Sequence, residues 1–248
     1  MSDVIVRAVI APLQARPAAS SEQVSQTLAG HRLTVGEEQE PWLRVRSRDG
    51  YEGWVHRGYI EGDGATKYAR QRTSLGCVVR FANESRRLPL GALVPDDAEL
   101  VRGDALDAKE LSHRFPRSGG AIARSAVELY QAAPYQWGGI TPWGADCSGF
   151  VQTIFGLHAI ELPRDASQQA AAGDSLDAPL EGLHPADLLF FSDRPDHRIT
   201  HVAIALGGDR IVHLALGRGG YRVEKLDDVA DPYVKALRER YLFARRVL

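Results

Sequence analysis

The feature that most constrains this chain is a change of hydrophobic period along its length. From Val4 to Ile60, short apolar or alternating runs (Val4-Ile5-Val6, Arg32-Leu33-Thr34-Val35, Trp42-Leu43-Arg44-Val45, Gly53-Trp54-Val55) are broken by polar stretches carrying Pro, Gly and Asp. A period of two, interrupted by turn formers, dictates a small all-β barrel. Gly62-Asp63-Gly64 reads as a linker, and apolar runs at 75–81, 87–94 and 98–101 predict a second, more divergent β module. After Arg117-Ser118-Gly119-Gly120 the spacing of Ile122, Ala126, Leu129 and Tyr130 predicts a helix. A second helix is expected near Cys147, followed by strands at 187–191, 201–206, 210–216 and 241–247. Helices followed by a run of strands, without alternation, is an α+β order. The expected domains are 1–62, 63–112 and 113–248.

Composition removes several classes of function. The 248 residues carry 44% apolar and 25% charged side chains, which suits a globular protein and not a disordered one. A formal charge of -2 offers no basic field for phosphate backbones, so nucleic acid is not an expected partner. The basic tail Lys235, Arg238, Arg240, Arg245 and Arg246 is interrupted by Glu239 and reads as a solvated face. No run approaches the roughly 20 apolar residues of a membrane span. Met1 to Pro17 lacks the basic start, apolar run and cleavage site of an export signal, so a cytoplasmic location is expected. Cys77 and Cys147 fall in separate expected domains and make no disulfide framework. Cys77, in the run Leu75-Gly76-Cys77-Val78-Val79, is expected to be a small buried thiol.

Cys147 has a different setting. Asp146-Cys147-Ser148-Gly149 precedes Phe150, Val151, Ile154 and Phe155, whose spacing gives one apolar helical face behind a capping Asp146. In the first turn, unpaired N–H groups and the helix dipole favour negative charge, which predicts a lowered thiol pKa. That segment alone fits a nucleophile and a structural cysteine equally. Two histidines shift the balance. His201 opens 201–206 and His213 lies in 210–216, with Gly207-Gly208-Asp209 as the turn of a hairpin. If residue 206 faces residue 210, His213 faces Ala203 and His201 is its diagonal neighbour on the same side. A thiol, a base and an orienting group form the general arrangement of an activated nucleophile. Cys147 and two histidines lack spacing such as Cys-x-x-Cys or His-x-x-x-His, so no metal and no cofactor are expected. For His31, His56, His113, His158, His184 and His197 a structural or solvated role is expected.

Two resemblances follow from these residues. Gln23-Val24-Ser25-Gln26-Thr27-Leu28, Trp42-Leu43-Arg44-Val45 and Gly50-Tyr51-Glu52-Gly53-Trp54-Val55 resemble the bacterial SH3-like domain. Pro134-Tyr135-Gln136-Trp137-Gly138-Gly139, Asp146-Cys147-Ser148-Gly149, Leu162-Pro163-Arg164-Asp165, Asp187-Leu188-Leu189-Phe190-Phe191, His201-Val202 and His213 follow the order and spacing of the NlpC/P60 cysteine peptidases. The resemblance implies a papain-like α+β catalytic domain preceded by two small SH3-like β-barrels. It implies Cys147 as nucleophile, His201 as base, His213 as the orienting group and Tyr135 as an oxyanion donor beside the Cys147 N–H. Trp137 would line the substrate pocket, a packed aromatic being the alternative. Pro185-Ala186-Asp187 departs from the family, which usually has Gly before the Asp; Ala costs little there if its φ is negative.

SH3-like modules ahead of such a domain are similar to the enzymes that cut between γ-D-Glu and the diamino acid of murein peptides bearing a free N-terminal L-Ala. The resemblance implies a murein peptide as partner, with Asp146 and Asp165 around its ammonium and Ser148 on the substrate. Glu22 and Tyr51 would contribute from the first barrel. A cation in a partly closed site requires acidic partners. Ala166 stands directly after Asp165 where some relatives carry serine, so one substrate hydrogen bond is expected to be lost or moved. The alternatives are a hydrolase acting on intact peptidoglycan, an N-acyl amidase or acyltransferase, and a non-enzymatic wall-binding protein. The last predicts a broken triad, whereas Cys147, His201 and His213 are all present.

Overall fold

The computed structural model describes residues 2–62, 65–81, 84–176 and 180–248. Asp63 and Gly64 of the expected linker lie outside the described residues. The chain divides into two compact units, Met1–His113 and Arg114–Leu248.

In the first unit, β1 (Asp3–Val6), β2 (Ile10–Gln14), β3 (Gln23–Leu28), β4 (Arg32–Gln39), β5 (Trp42–Arg46), β6 (Glu52–His56) and β7 (Ile60–Glu61) pair in the order β3-β2-β6-β5-β4-β1-β7. Alternation sends Leu33, Val35, Leu43 and Val45 inward, where they meet Val6, Ala11, Leu13, Val55 and Ile60. The Gly-Trp-Val element has a steric origin, because a Cβ on Gly53 would lie 2.9 Å from that of Leu13.

The second β module belongs to the same unit. It is a four-stranded sheet in which β8 (Arg72–Phe81) pairs on one side with β9 (Glu84–Val94) and on the other with β10 (Glu99–Arg102) and β11 (Ala105–Leu106). β9 is tied to the barrel by the Leu93 N–H on the Ala29 carbonyl at 2.9 Å and by His31 Nε2 on the Gly91 carbonyl at 3.0 Å. Cys77 is buried there, with its thiol pKa pushed up by burial. The short α1 spans Ala108–Arg114.

The second unit packs helices α2 (Gly119–Leu129), α3 (Cys147–Leu157), the short α4 (Ala166–Gln169) and α5 (Pro232–Glu239) with a six-stranded antiparallel sheet. The hairpin β12 (Ile140–Thr141) and β13 (Gly144–Ala145) precedes α3. The sheet strands are β14 (Asp174–Leu176), β15 (Leu188–Phe191), β16 (His201–Gly207), β17 (Arg210–Ala215), β18 (Gly220–Lys225) and β19 (Tyr241–Arg246), in the order β14-β19-β15-β16-β17-β18. α3 buries Phe150, Val151, Ile154 and Phe155, and the Phe150 ring meets Tyr130 edge-on at 5.0 Å. Apolar burial on this scale fixes the helix against the sheet.

Two expectations need correction. Ala186 has φ +74, so the condition for a cheap alanine is not met. A left-handed alanine costs about 1–2 kcal/mol. Its neighbours over-determine it: the Ala186 N–H donates to Ala205 at 2.9 Å, and the Asp187 carboxylate accepts from the His184 N–H at 2.8 Å and twice from Arg246, at 2.8 and 2.7 Å. The basic tail is also not merely a solvated face. Besides Arg246 on Asp187, Arg245 Nε donates to the Ala170 carbonyl at 2.8 Å and Arg238 Nη1 to that of Leu226 at 3.0 Å.

Close approach at the start of α3 yields a test. A Cβ on Gly149 would lie 2.2 Å from the Gly139 carbonyl oxygen, whereas one on the exposed Gly156 of the same helix would meet nothing within 4 Å. Gly149→Ala should cost about 1–3 kcal/mol by overpacking. Gly156→Ala should add about 0.5–1 kcal/mol through helix propensity. Urea unfolding of the two variants should therefore move in opposite directions.

Candidate active site

Asp146 builds the site. Its backbone is extended (φ -93, ψ 177) and its Oδ1 accepts the Gly149 N–H at 2.7 Å, which caps α3 and leaves Cys147 as the first helical residue. Oδ2 accepts the Gly138 N–H at 2.8 Å, which fastens the 136–139 turn. Arg164, only 2% exposed, donates to Oδ1 at 3.0 Å and to Oδ2 at 2.6 Å, and also to Ser148 Oγ at 2.9 Å. Ser148 Oγ in turn donates to Asp146 Oδ1 at 3.3 Å. Both carboxylate oxygens are thus spent on protein donors and face a buried guanidinium. A substrate ammonium, the expected partner of Asp146, would have to share these oxygens with Arg164, and Ser148 is tied into the same knot.

Cys147 is 6% exposed, with the Val202 and Ser148 backbone N–H groups against its sulfur. Its pKa is pushed up to about 12, first by burial and then by the neighbouring Asp146; the N–H groups and Arg164 oppose this and lose. The expected acidified thiol is therefore corrected, since helix-terminus stabilisation is the smaller effect here.

His201 opens β16 next to Val202, and His213 sits fully buried in β17. The ladder pairs Ile204 with Val212 and Ala205 with Ile211, so paired residue numbers sum to 416, as the diagonal placement of the histidines requires. The turn differs from expectation, because Gly207 and not residue 206 faces Arg210 and an irregularity follows Ala205. His201 Nε2 and His213 Nδ1 share a hydrogen bond of 2.9 Å. Burial, and then His213, push the His201 pKa well below its ordinary 6.5, so thiol and imidazole both rest neutral near pH 7. Nε2 is committed to His213, which leaves Nδ1 to take the thiol proton as the sulfur attacks.

Tyr135 is held beside Ala145 by a parallel bridge, and its N–H donates to the Gly219 carbonyl at 3.0 Å. Burial, and then the charges of Cys147 and Asp146, raise its pKa, so the phenol keeps its proton and can donate. Trp137 is 59% exposed, which rules out a packed aromatic and leaves it on the rim of the turn that Asp146 fastens. Asp165 is half-buried; its carbonyl starts α4 by accepting from Gln168 and Gln169, and its side chain makes no capping bond. Glu22 and Tyr51 belong to the first unit, Glu22 exposed between β2 and β3 and Tyr51 in the 47–51 turn. Sequence reasoning left Arg164 without a role, and it missed Glu224, Arg218 and Asp231, which stand behind His213. Among the described residues no group of three or more His, Cys, Asp or Glu is placed to hold a metal ion.

Burial of His158, His201 and His213 sets a pH dependence of stability. All three pKa values lie below 6.5 in the folded state, burial being the first cause for each. Below 6.5 the unfolded chain therefore binds more protons, and folding free energy falls with pH. The contribution is fully present above 6.5 and is lost as pH drops from there toward the folded values. Thermal unfolding followed by circular dichroism should show a flat midpoint between pH 7 and 8 and a decline beginning near 6.5, ahead of carboxylate titration.

Comparison with known proteins agrees with this geometry. Residues 132–241 match the NlpC/P60 family and residues 3–61 the bacterial SH3 domain. A gamma-D-glutamyl-L-lysine dipeptidyl-peptidase of Bacillus subtilis is 29% identical over 210 residues, covering 75% of this chain and 70% of that protein. A Bacillus cereus protein of the same name is 27% identical over 259 residues, covering 90% and 75%. Dipeptidyl-peptidase 6 of Lysinibacillus sphaericus is 29% identical over 238 residues, covering 82% and 84%. The crystal structure of an NlpC/P60 family protein from Bacillus cereus, 21% identical, has a TM-score of 0.77 over 100% of both chains, which shows the fold. The chain carries an NlpC/P60 domain of papain-like α+β fold behind an N-terminal bacterial SH3 domain, and it is a cysteine peptidase.

Proposed function

We propose that this peptidase hydrolyses the bond between γ-D-Glu and the L-diamino acid in short murein peptides with a free N-terminal L-Ala. The observation that carries the chemistry is the 2.9 Å bond between His201 and His213 on the hairpin whose Val202 N–H meets the Cys147 sulfur. The bond choice draws on the relatives named gamma-D-glutamyl-L-lysine dipeptidyl-peptidase, which align with three quarters or more of the chain.

In this reading Cys147 Sγ attacks the D-Glu γ-carbonyl while His201 Nδ1 takes its proton. The oxyanion accepts from the Tyr135 hydroxyl and the Cys147 N–H, one of the helix N–H groups without an intrahelical partner. The His201 imidazolium then protonates the departing amine of the diamino acid. Water, deprotonated by His201, hydrolyses the thioester and releases L-Ala-γ-D-Glu.

With Asp146 bound to Arg164, Asp165 is the acidic group in this unit that we assign to the substrate ammonium. Cys147→Ala and His201→Ala should each abolish turnover, and His213→Ala should cost less, because it removes orientation and not the base. Survival of activity in Cys147→Ala would overturn the mechanism.

Mass spectrometry of L-Ala-γ-D-Glu-diamino acid peptides tests the bond. Release of L-Ala-γ-D-Glu is expected, and a muramoyl sugar or an acylated product would refute the assignment. Acetylating the L-Ala nitrogen removes one charged hydrogen-bond partner, at about 2–3 kcal/mol, or roughly 30- to 150-fold in kcat/KM. Equal rates on free and acetylated peptides would remove the free amine from the proposal.

A further inference from the structure

His213 has two ring nitrogens, and only one is used by the triad. Its Nε2 is fully buried and has no hydrogen-bond partner within bonding distance. Glu224 Oε1, on the neighbouring strand β18, lies 3.8 Å away. Glu224 is itself only 9% exposed, and Arg218 holds it with Nε on Oε1 at 2.7 Å and Nη2 on Oε2 at 3.3 Å. Arg218 also bonds Asp231, the residue that caps α5, and its guanidinium stacks 4.4 Å over the Tyr233 ring. The groups facing His213 and Glu224 are thus His201 from β16, Arg218 from the turn after β17, Asp231 and Tyr233 from the start of α5, and Arg222, paired opposite His213.

The His201–His213 bond can be made in two ways. If His213 donates from Nδ1, then His201 carries its own proton on Nδ1, on the side needed for the thiol, and cannot act as a base. The lone pair of His213 Nε2 would also then point at a carboxylate. If His201 donates from Nε2, His213 carries its proton on Nε2, toward Glu224, and His201 Nδ1 keeps its lone pair. A carboxylate on the far side of His213 selects the second arrangement, because an ionised carboxylate only accepts. Burial raises the Glu224 pKa, but the neighbouring His213 and the hydrogen-bonded Arg218 outweigh it and hold the carboxyl below the ordinary value, so the acceptor is ionised.

We propose that Glu224 is a positioning residue: it fixes the catalytically competent tautomer of the His201–His213 pair and favours the imidazolium formed when Cys147 gives up its proton, with Arg218 setting how much of its charge reaches the histidines. The 3.8 Å separation belongs to the resting state and shortens as positive charge develops on the pair, as catalytic hydrogen bonds commonly do. The inference rests on the cysteine-peptidase chemistry and not on the identity of the murein bond.

The test therefore reads the thiol directly as well as turnover. Iodoacetamide labelling of Cys147 is followed across pH by peptide mass spectrometry, with buried Cys77 in the same chain as an internal reference. Glu224→Gln, which is nearly isosteric, should lower the plateau labelling rate and kcat about tenfold with KM changed less than about twofold. Its acid limb should move to lower pH, because the anion that favours imidazolium is gone. Glu224→Ala should lose more, about a hundredfold, since no acceptor remains to select the tautomer. Arg218→Met unmasks the carboxylate and should move the acid limb to higher pH. Opposite shifts in Glu224→Gln and Arg218→Met support the proposal. Unchanged profiles in both, shifts of the same sign, or a fall in activity that tracks thermal stability alone would overturn it.

Discussion

The ion pair between Asp146 and Arg164 is the interaction on which the catalytic geometry depends. It joins three separate segments of the chain: the 136–139 turn through Gly138, the first turn of α3 through Gly149, and the 162–165 segment through Arg164 itself. Taking both charges out of water costs several kcal/mol per ion, and the cost is offset because nearly every exposed edge of the two groups finds a partner. Losing either side alone would leave an uncompensated buried charge, at about 3–5 kcal/mol. The same carboxylate also works against the nucleophile, since it raises the thiol pKa that the helix terminus would lower. Position has been gained at the expense of acidity.

That trade shapes the chemistry. With sulfur and imidazole both neutral at rest, charge separates only as the substrate carbonyl is attacked. Oxidation of cysteine follows thiolate character and exposure, so a buried neutral thiol is protected between turnovers. When charge does form, it meets an ordered row of side chains of alternating sign, from the histidine pair to Glu224, Arg218 and Asp231. A network of this kind in a low-dielectric interior is stiff, and its groups need little rearrangement during reaction.

Much of this was legible in the sequence, for identifiable reasons. Short-range rules located the helix behind Asp146 and the hairpin carrying both histidines, since capping and strand alternation act over a few residues. The match of Pro134 to Gly139, of Asp146 to Gly149 and of the histidines pointed to the family. What could not be read depends on distant partners. The role of Arg164 requires knowing that Asp146 is buried beside it. The thiol pKa depends on a contest between burial and dipole that no local pattern encodes. The left-handed Ala186 breaks a local rule and is held by Asp187, Ala205 and Arg246. The helix α5 had a signal, Asp231 before Pro232 with Val234 and Leu237 three residues apart, but its basic residues masked the amphipathic pattern.

The irregularity after Ala205 has a consequence for how such an enzyme can change. Gly207 pairs with Arg210, one step out of line with the ladder, yet by Ala205 and Ile211 the strands are back in the alignment that the histidines need. Gly207 and Gly208, with φ +102 and +61, absorb that step at the solvent end of the hairpin. The extra residue works as a slip joint. The shape of the turn is thereby uncoupled from the spacing of the base and its partner, so the two left-handed glycines can set this end of the hairpin without retuning the reaction centre at the other end of the same two strands.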